Sequence, residues 1–202
     1  MKRIAVLVSG GGTNLQALID AQGRSEIVNG SIAAVISSSP DAYALERAEK
    51  AGIPGYVIDR RDYPSNRAMT VALVDKLREL DIQLVVLAGF MTILTEEMVQ
   101  AFPNAILNIH PALIPSFAGP GCYGLHVHEK ALAYGVKLSG ATVHFVSPEC
   151  DGGPIVLQKA VEVLPDDTPE VLQRRIMEQC EWKLLPQATQ MISEEIRREK
   201  DQ

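Results

Sequence analysis

Ile4-Ala5-Val6-Leu7-Val8-Ser9-Gly10-Gly11-Gly12-Thr13-Asn14-Leu15-Gln16 is the stretch that decides the fold. Five apolar residues without polar alternation have the composition of a strand covered on both faces. Three glycines then let the chain turn sharply, and Thr13 opens a helical pattern over 13–21. Met1-Lys2-Arg3 ahead of the run resembles the basic start of a secretion signal, but the apolar run is too short for one. A buried strand, a glycine turn and a helix are the first unit of an open α/β sheet.

The same alternation continues outward. Further strands are expected at 31–37, 55–58, 83–88 and 105–109, with helices between them at 41–51, 65–80 and 95–101. In the 65–80 helix Met69, Leu73, Val74, Leu77 and Leu80 form one apolar stripe, and Gly52 before Ile53-Pro54 stops the preceding helix. Past residue 110 the pattern changes to a Pro/Gly-rich stretch over 111–124, a helix over 125–134, two long strands at 139–146 and 155–163, and a long helix from about 168 to 198. The expectation is one α/β domain: an open, mostly parallel sheet flanked by helices, with an antiparallel C-terminal portion and a long final helix.

Composition narrows the function. The 202 residues carry a net charge of −6 with a pI near 5.3, which argues against nucleic acid as the main partner. No stretch approaches the roughly 20 apolar residues of a membrane span. Cys122, Cys150 and Cys180 are odd in number and widely spaced, so a reducing cytoplasm is expected.

The glycine turn lies where open α/β sheets bind ligands, at a helix N-terminus that presents free N–H groups to an anion. It departs from the dinucleotide fingerprint, because Leu15 stands where the third glycine is needed and Ser37-Ser38-Ser39 offers no acid for a ribose. There is no GK[ST] for a P-loop. A single phosphate fits better, with Arg67 as its partner if the first turn of its helix faces the loop, and otherwise a solvated arginine.

A second constellation ends the fifth strand. Asn108 and His110 share one side of it, and Pro111 stops the ladder. Far along the chain stands Asp151, ahead of Gly152-Gly153-Pro154. Together these suit acyl transfer to an amine: Asn108 and a His110 imidazolium stabilise an oxyanion, and Asp151 accepts the proton that the attacking amine must lose. No G-x-S-x-G elbow is present, so direct transfer is favoured. His144 either orients Asp151 or is a core histidine. His126 and His128 diverge on a helix, and no metal is expected. Leu87, Phe90, Met91, Ile93, Leu94 and Val99 are mostly core, while those at the strand end suit the wall of a flat aromatic cofactor.

Ser9 through Gln16, Leu87-Ala88-Gly89-Phe90-Met91, Asn108-Ile109-His110-Pro111-Ala112-Leu113-Ile114-Pro115 and Asp151-Gly152-Gly153-Pro154, in this order, resemble the folate-dependent formyltransferase family. The likeness spans nearly the whole chain. The glycine start is similar to the members that formylate glycinamide ribonucleotide. The resemblance implies a single-domain Rossmann-like fold, a phosphate-binding half over 1–110 and a folate-binding, catalytic half over 111–202. It implies formyl transfer from 10-formyltetrahydrofolate to that primary amine, in de novo purine synthesis, by a cytoplasmic monomer or homodimer without metal. Asn108, His110 and Asp151 would be catalytic, supported by His144. Gly11, Gly12, Thr13, Asn14 and Arg67 would hold the phosphate, and Glu181 would contact the sugar or glycinamide. Met91, Thr92, Ile93, Leu94 and Val99, with Asp151, would line the folate. Three departures from the family stand out: Thr92 where members often carry arginine, a loop lengthened by 118–123, and Glu181-Trp182 in place of Glu-His. Sibling hydrolases and transfer-RNA formyltransferases usually carry an added domain, for which this chain is short.

Overall fold

The computed structural model describes residues 1–200, with side chains described for 1–198. Seven strands form one sheet: β1 (Lys2–Val8), β2 (Gly30–Ser37), β3 (Gly55–Val57), β4 (Leu84–Leu87), β5 (Ile106–His110), β6 (Leu138–Phe145) and β7 (Ile155–Glu162). Their order is β3-β2-β1-β4-β5-β6-β7. The first five are parallel, and β6 and β7 join antiparallel. The helices are α1 (Thr13–Gly23), α2 (Tyr43–Lys50), α3 (Asn66–Glu79), α4 (Glu96–Ala101), α5 (Leu125–Tyr134), α6 (Pro169–Ile176) and α7 (Trp182–Lys200). The α/β class and the antiparallel C-terminal strands expected from the sequence are observed.

The unbroken apolar character of the strands follows from cover on both faces. Ile4, Val6, Val8, Leu84 and Val86 pack in a core with Leu15, Leu18, Leu172, Leu185 and Ile192 from α1, α6 and α7. Ala5, Leu7, Val85 and Leu87 pack on the other face with Met69, Leu73, Leu77 and Met98 from α3 and α4. Ser65 caps α3, its Oγ accepting from the Ala68 N–H at 3.1 Å.

The chain winds from β1 toward β3 on one side and from β4 toward β7 on the other, so the topological switch lies between β1 and β4. The loops leaving their carboxyl ends diverge and open a crevice there. Ser9 and Met91 meet across it, the Met91 N–H donating to Ser9 Oγ at 2.8 Å.

The long C-terminal helix expected over 168–198 is observed as α6 and α7, joined without interruption by a π turn at Met177–Glu181, and Pro186 lies inside α7. A proline cannot donate to the carbonyl four residues back and its ring crowds that carbonyl. Here that carbonyl belongs to Trp182, the residue at which the widened turn ends.

Candidate active site

Register brings the polar groups together. Asn108 on β5 lies opposite His144 on β6, and His110 lies opposite Thr142. Directly opposed antiparallel residues hold their side chains side by side. Asn108 Nδ2 and His144 Nε2 are 3.0 Å apart. His144 Nδ1 lies 2.9 Å from the Phe145 carbonyl, which can only accept, so that nitrogen carries a proton. In the neutral ring Nε2 then accepts, and the Asn108 amide donates to it.

Asp151 comes from the loop between β6 and β7. Its backbone is left-handed, with φ 55°, a conformation that aspartate and asparagine tolerate better than most residues. Gly153 allows the approach: a Cβ there would fall 1.8 Å from the Phe145 carbonyl oxygen. The carboxylate sits between two imidazoles, Oδ2 at 3.6 Å from His110 Nδ1 and Oδ1 at 3.6 Å from His144 Nε2. The Gly119 N–H donates to Oδ2 at 2.9 Å. His110 Nε2 meets the Phe117 carbonyl at 2.8 Å, so in the neutral ring its unprotonated nitrogen, Nδ1, is the one that faces Asp151. Burial works to raise the Asp151 pKa, but His144, the Gly119 N–H and charge on His110 outweigh it and hold the carboxyl below its ordinary value. Asp151 is therefore ionised at neutral pH, with a ring nitrogen of each histidine beside it.

A second buried pair joins the glycine turn to the C-terminal segment. Asn14 Nδ2 donates to Glu181 Oε2 at 2.7 Å. Asn14 Oδ1 is buried and has no hydrogen-bond partner among the described residues. Burial pushes the Glu181 carboxyl above its usual range against the opposing Asn14 bond. Gly12 takes φ 71°, and Gly11, Gly12 and Thr13 lead directly into α1.

Other expected residues fall elsewhere. The Arg67 guanidinium is mostly exposed and pairs with Glu97 of α4 instead of bonding the glycine turn. Leu87 is buried and Leu94 and Phe90 lean on the core, but Met91 and Ile93 are 54% and 74% exposed. These two stand outside the core because the chain leaves the sheet after Leu87, while the rest of the set is buried or half-buried as expected. Thr92 and Val99 are half-buried. His126 is on the surface with Glu129, while His128 is fully buried, and neither ring nitrogen has a partner among the described residues. Burial, with charge on His110 adding to it, depresses His128 to about 4, so it is neutral.

Sequence reasoning missed the main-chain groups of Phe117 and Gly119, which orient His110 and Asp151. Both belong to a loop whose backbone bonds leave no side-chain signal. It also missed Arg47, whose Nε–H donates to the Gly11 carbonyl at 2.8 Å.

Fold and cluster together define a class. Residues 2–189 match the family model described as formyl transferase, and the chain belongs to that family. Within it the chain is similar to phosphoribosylglycinamide formyltransferase of Haemophilus influenzae, with 45% identity over 100% of this chain and 92% of that protein. It is 41% identical to the chloroplastic phosphoribosylglycinamide formyltransferase of Arabidopsis thaliana, covering 96% of this chain but 66% of that protein. Among solved structures, glycinamide ribonucleotide transformylase 1 from Symbiobacterium toebii superposes with a TM-score of 0.90 at 47% identity, over 96% of this chain and 89% of that one.

Proposed function

We propose that this chain transfers the formyl group of 10-formyltetrahydrofolate to the primary amine of glycinamide ribonucleotide, a step of purine synthesis. The observation that carries the reading is the ionised Asp151 held between His110 and His144, one residue pair away from the Asn108 amide. The amine attacks the formyl carbon, and the carbonyl oxygen becomes an oxyanion. Asn108 Nδ2 has two N–H groups; one is used on His144, and the other is available to the oxyanion. A protonated His110 adds positive charge. Asp151 takes the proton that the attacking nitrogen releases, directly or through water, and the folate nitrogen gains one as it leaves.

The phosphate of the acceptor is assigned to the N–H groups of Gly11, Gly12, Thr13 and Asn14 at the head of α1. Arg67 would join it only by leaving Glu97. Glu181 and the free Asn14 Oδ1 suit donors on the sugar or glycinamide portion. Exposed Met91 and Ile93, with Thr92, Leu94 and Val99 behind them, offer an apolar bed for the flat folate ring beside Asp151.

The test is formyl release from 10-formyltetrahydrofolate with and without glycinamide ribonucleotide. Release that requires the amine supports the reading; release without it makes the chain a hydrolase, and none in either case overturns the enzyme claim. Glu181 gives a second check. Between its ordinary pKa and its raised folded value the native state holds more protons than the unfolded chain, so wild-type stability falls as pH rises through that interval. Glu181→Gln keeps an acceptor for Asn14 without the charge. It is expected to melt higher than wild type near pH 8 and equally at about pH 4, near the ordinary carboxylate value. Its KM for the ribonucleotide is expected to rise by about 10- to 100-fold, the equivalent of one charged hydrogen bond.

A further inference from the structure

Two successive carbonyls of the glycine turn are tied to α2. The Ala44 N–H donates to the Gly10 carbonyl at 3.0 Å. Arg47 Nε donates to the Gly11 carbonyl at 2.8 Å. The Arg47 side chain is itself held on two further sides: a terminal nitrogen donates to Gln16 Oε1 at 3.0 Å, and the guanidinium lies 5.0 Å from the centre of the Tyr43 ring. Contact between α2 and the turn is close enough that a Cβ on Gly12 would fall 2.6 Å from the Ala44 Cβ.

A trans peptide sets its C=O and the following N–H in opposite directions. These peptides are trans, the cis bond among the described residues being Ile114-Pro115. Pinning the Gly10 and Gly11 carbonyls toward α2 therefore turns the Gly11 and Gly12 N–H groups away from it. Among the described residues no hydrogen bond takes up the N–H of Gly11, Gly12 or Thr13. Gly12 at φ 71° ahead of a helical residue makes the concave run of N–H groups that anions occupy.

We propose that Arg47 is a positioning residue for the phosphate cradle: its Nε–H fixes the Gly11–Gly12 peptide so that the Gly12 N–H is already aimed at the anion. The role depends on the donor and not on the charge. It rests on the reading of the glycine turn as the phosphate site. In a free turn that peptide could flip, and binding would then have to restore its orientation at a cost in affinity.

Side-chain chemistry supplies a clean test. Glutamine places an N–H donor the same number of bonds from the backbone as arginine Nε, without charge; methionine fills similar space with no donor. R47M is expected to raise the KM for glycinamide ribonucleotide about tenfold, the worth of one ordinary hydrogen bond with its preorganisation, and to leave the folate KM and kcat within about twofold. R47Q is expected to recover most of that loss. With the phosphate-free glycinamide ribonucleoside, R47M and wild type should have equal KM. Circular dichroism melts of both variants establish that they are folded. If R47Q is as impaired as R47M, the charge is what counts and the positioning role is overturned; equal KM values in R47M and wild type for the ribonucleotide overturn it too. If wild type itself uses the ribonucleoside as well as the ribonucleotide, the phosphate reading falls, and this role with it.

Discussion

Asp151→Asn is expected to lower kcat by about 10³-fold, within the range that a positioned general base contributes. The protein should still fold and bind both substrates. Asparagine tolerates the left-handed backbone at this position, and its Oδ1 can accept the Gly119 N–H as Asp151 Oδ2 does. Its amide nitrogen takes the place of Oδ1 beside His144 and its oxygen that of Oδ2 beside His110, so neither ring loses a neighbour. What disappears is the basic site and the negative charge that a proton arriving on either histidine would meet. The measurement is single-turnover formyl transfer alongside substrate Kd. A variant that keeps wild-type kcat would remove Asp151 from the chemistry. Loss of binding with kcat intact would recast it as a folate contact.

The same substitution has a stability signature. The Asp151 pKa is lowered in the folded state, so between that value and the ordinary one the unfolded chain binds more protons. Its contribution is fully present above the ordinary carboxylate pKa and is lost as pH falls through the folded value. Asp151→Asn should therefore melt lower than wild type at neutral pH, with the gap closing in acid. Glu181→Gln has the opposite sign. The two carboxylates thus report different surroundings: Asp151 compensated by donors and charge, Glu181 buried with one amide.

The sheet was legible because its information is local. A strand covered on both faces has to be apolar at consecutive positions, as in Ile4–Ala5–Val6–Leu7–Val8, and each such run is followed by its own helix. Asn108 and His110 were legible as a pair for the same reason, since period-two geometry and Pro111 act within four residues. Their meeting with His144 was not, because it depends on the register of β5 against β6 across thirty-odd intervening residues. The sequence left His144 open between an orienting and a core role, and that register sets it against Asn108. Arg67 depended on which way a helix end faces, and in the fold Glu97 is the acid it meets. The long C-terminal helix was legible from its length and pattern, but the π turn within it that holds Glu181 was not, because it lies several residues upstream of Pro186, the one local irregularity in the sequence. Arg47 carried no motif; its value comes from the Gly11 carbonyl, in a loop more than thirty residues earlier.

Asn108→Ala should cost about 10²–10³-fold in kcat, the effect of removing one oxyanion donor, with both KM values nearly unchanged. The expectation depends on proton positions that the carbonyls fix. Because Phe145 holds a proton on His144 Nδ1, the neutral ring must accept at Nε2, and that acceptance orients the Asn108 amide with nitrogen toward the ring. Its second N–H is thereby aimed without freedom to rotate, and a donor that needs no reorganisation is worth most when charge develops. His144→Phe should then reproduce part of the Asn108→Ala loss through an amide free to turn, and the double variant should cost less than the product of the two. Strict multiplicativity would mean that His144 does not act through Asn108. A fall in kcat of less than about fivefold in Asn108→Ala would leave the oxyanion to His110 and the main chain, well below the loss expected for a missing donor.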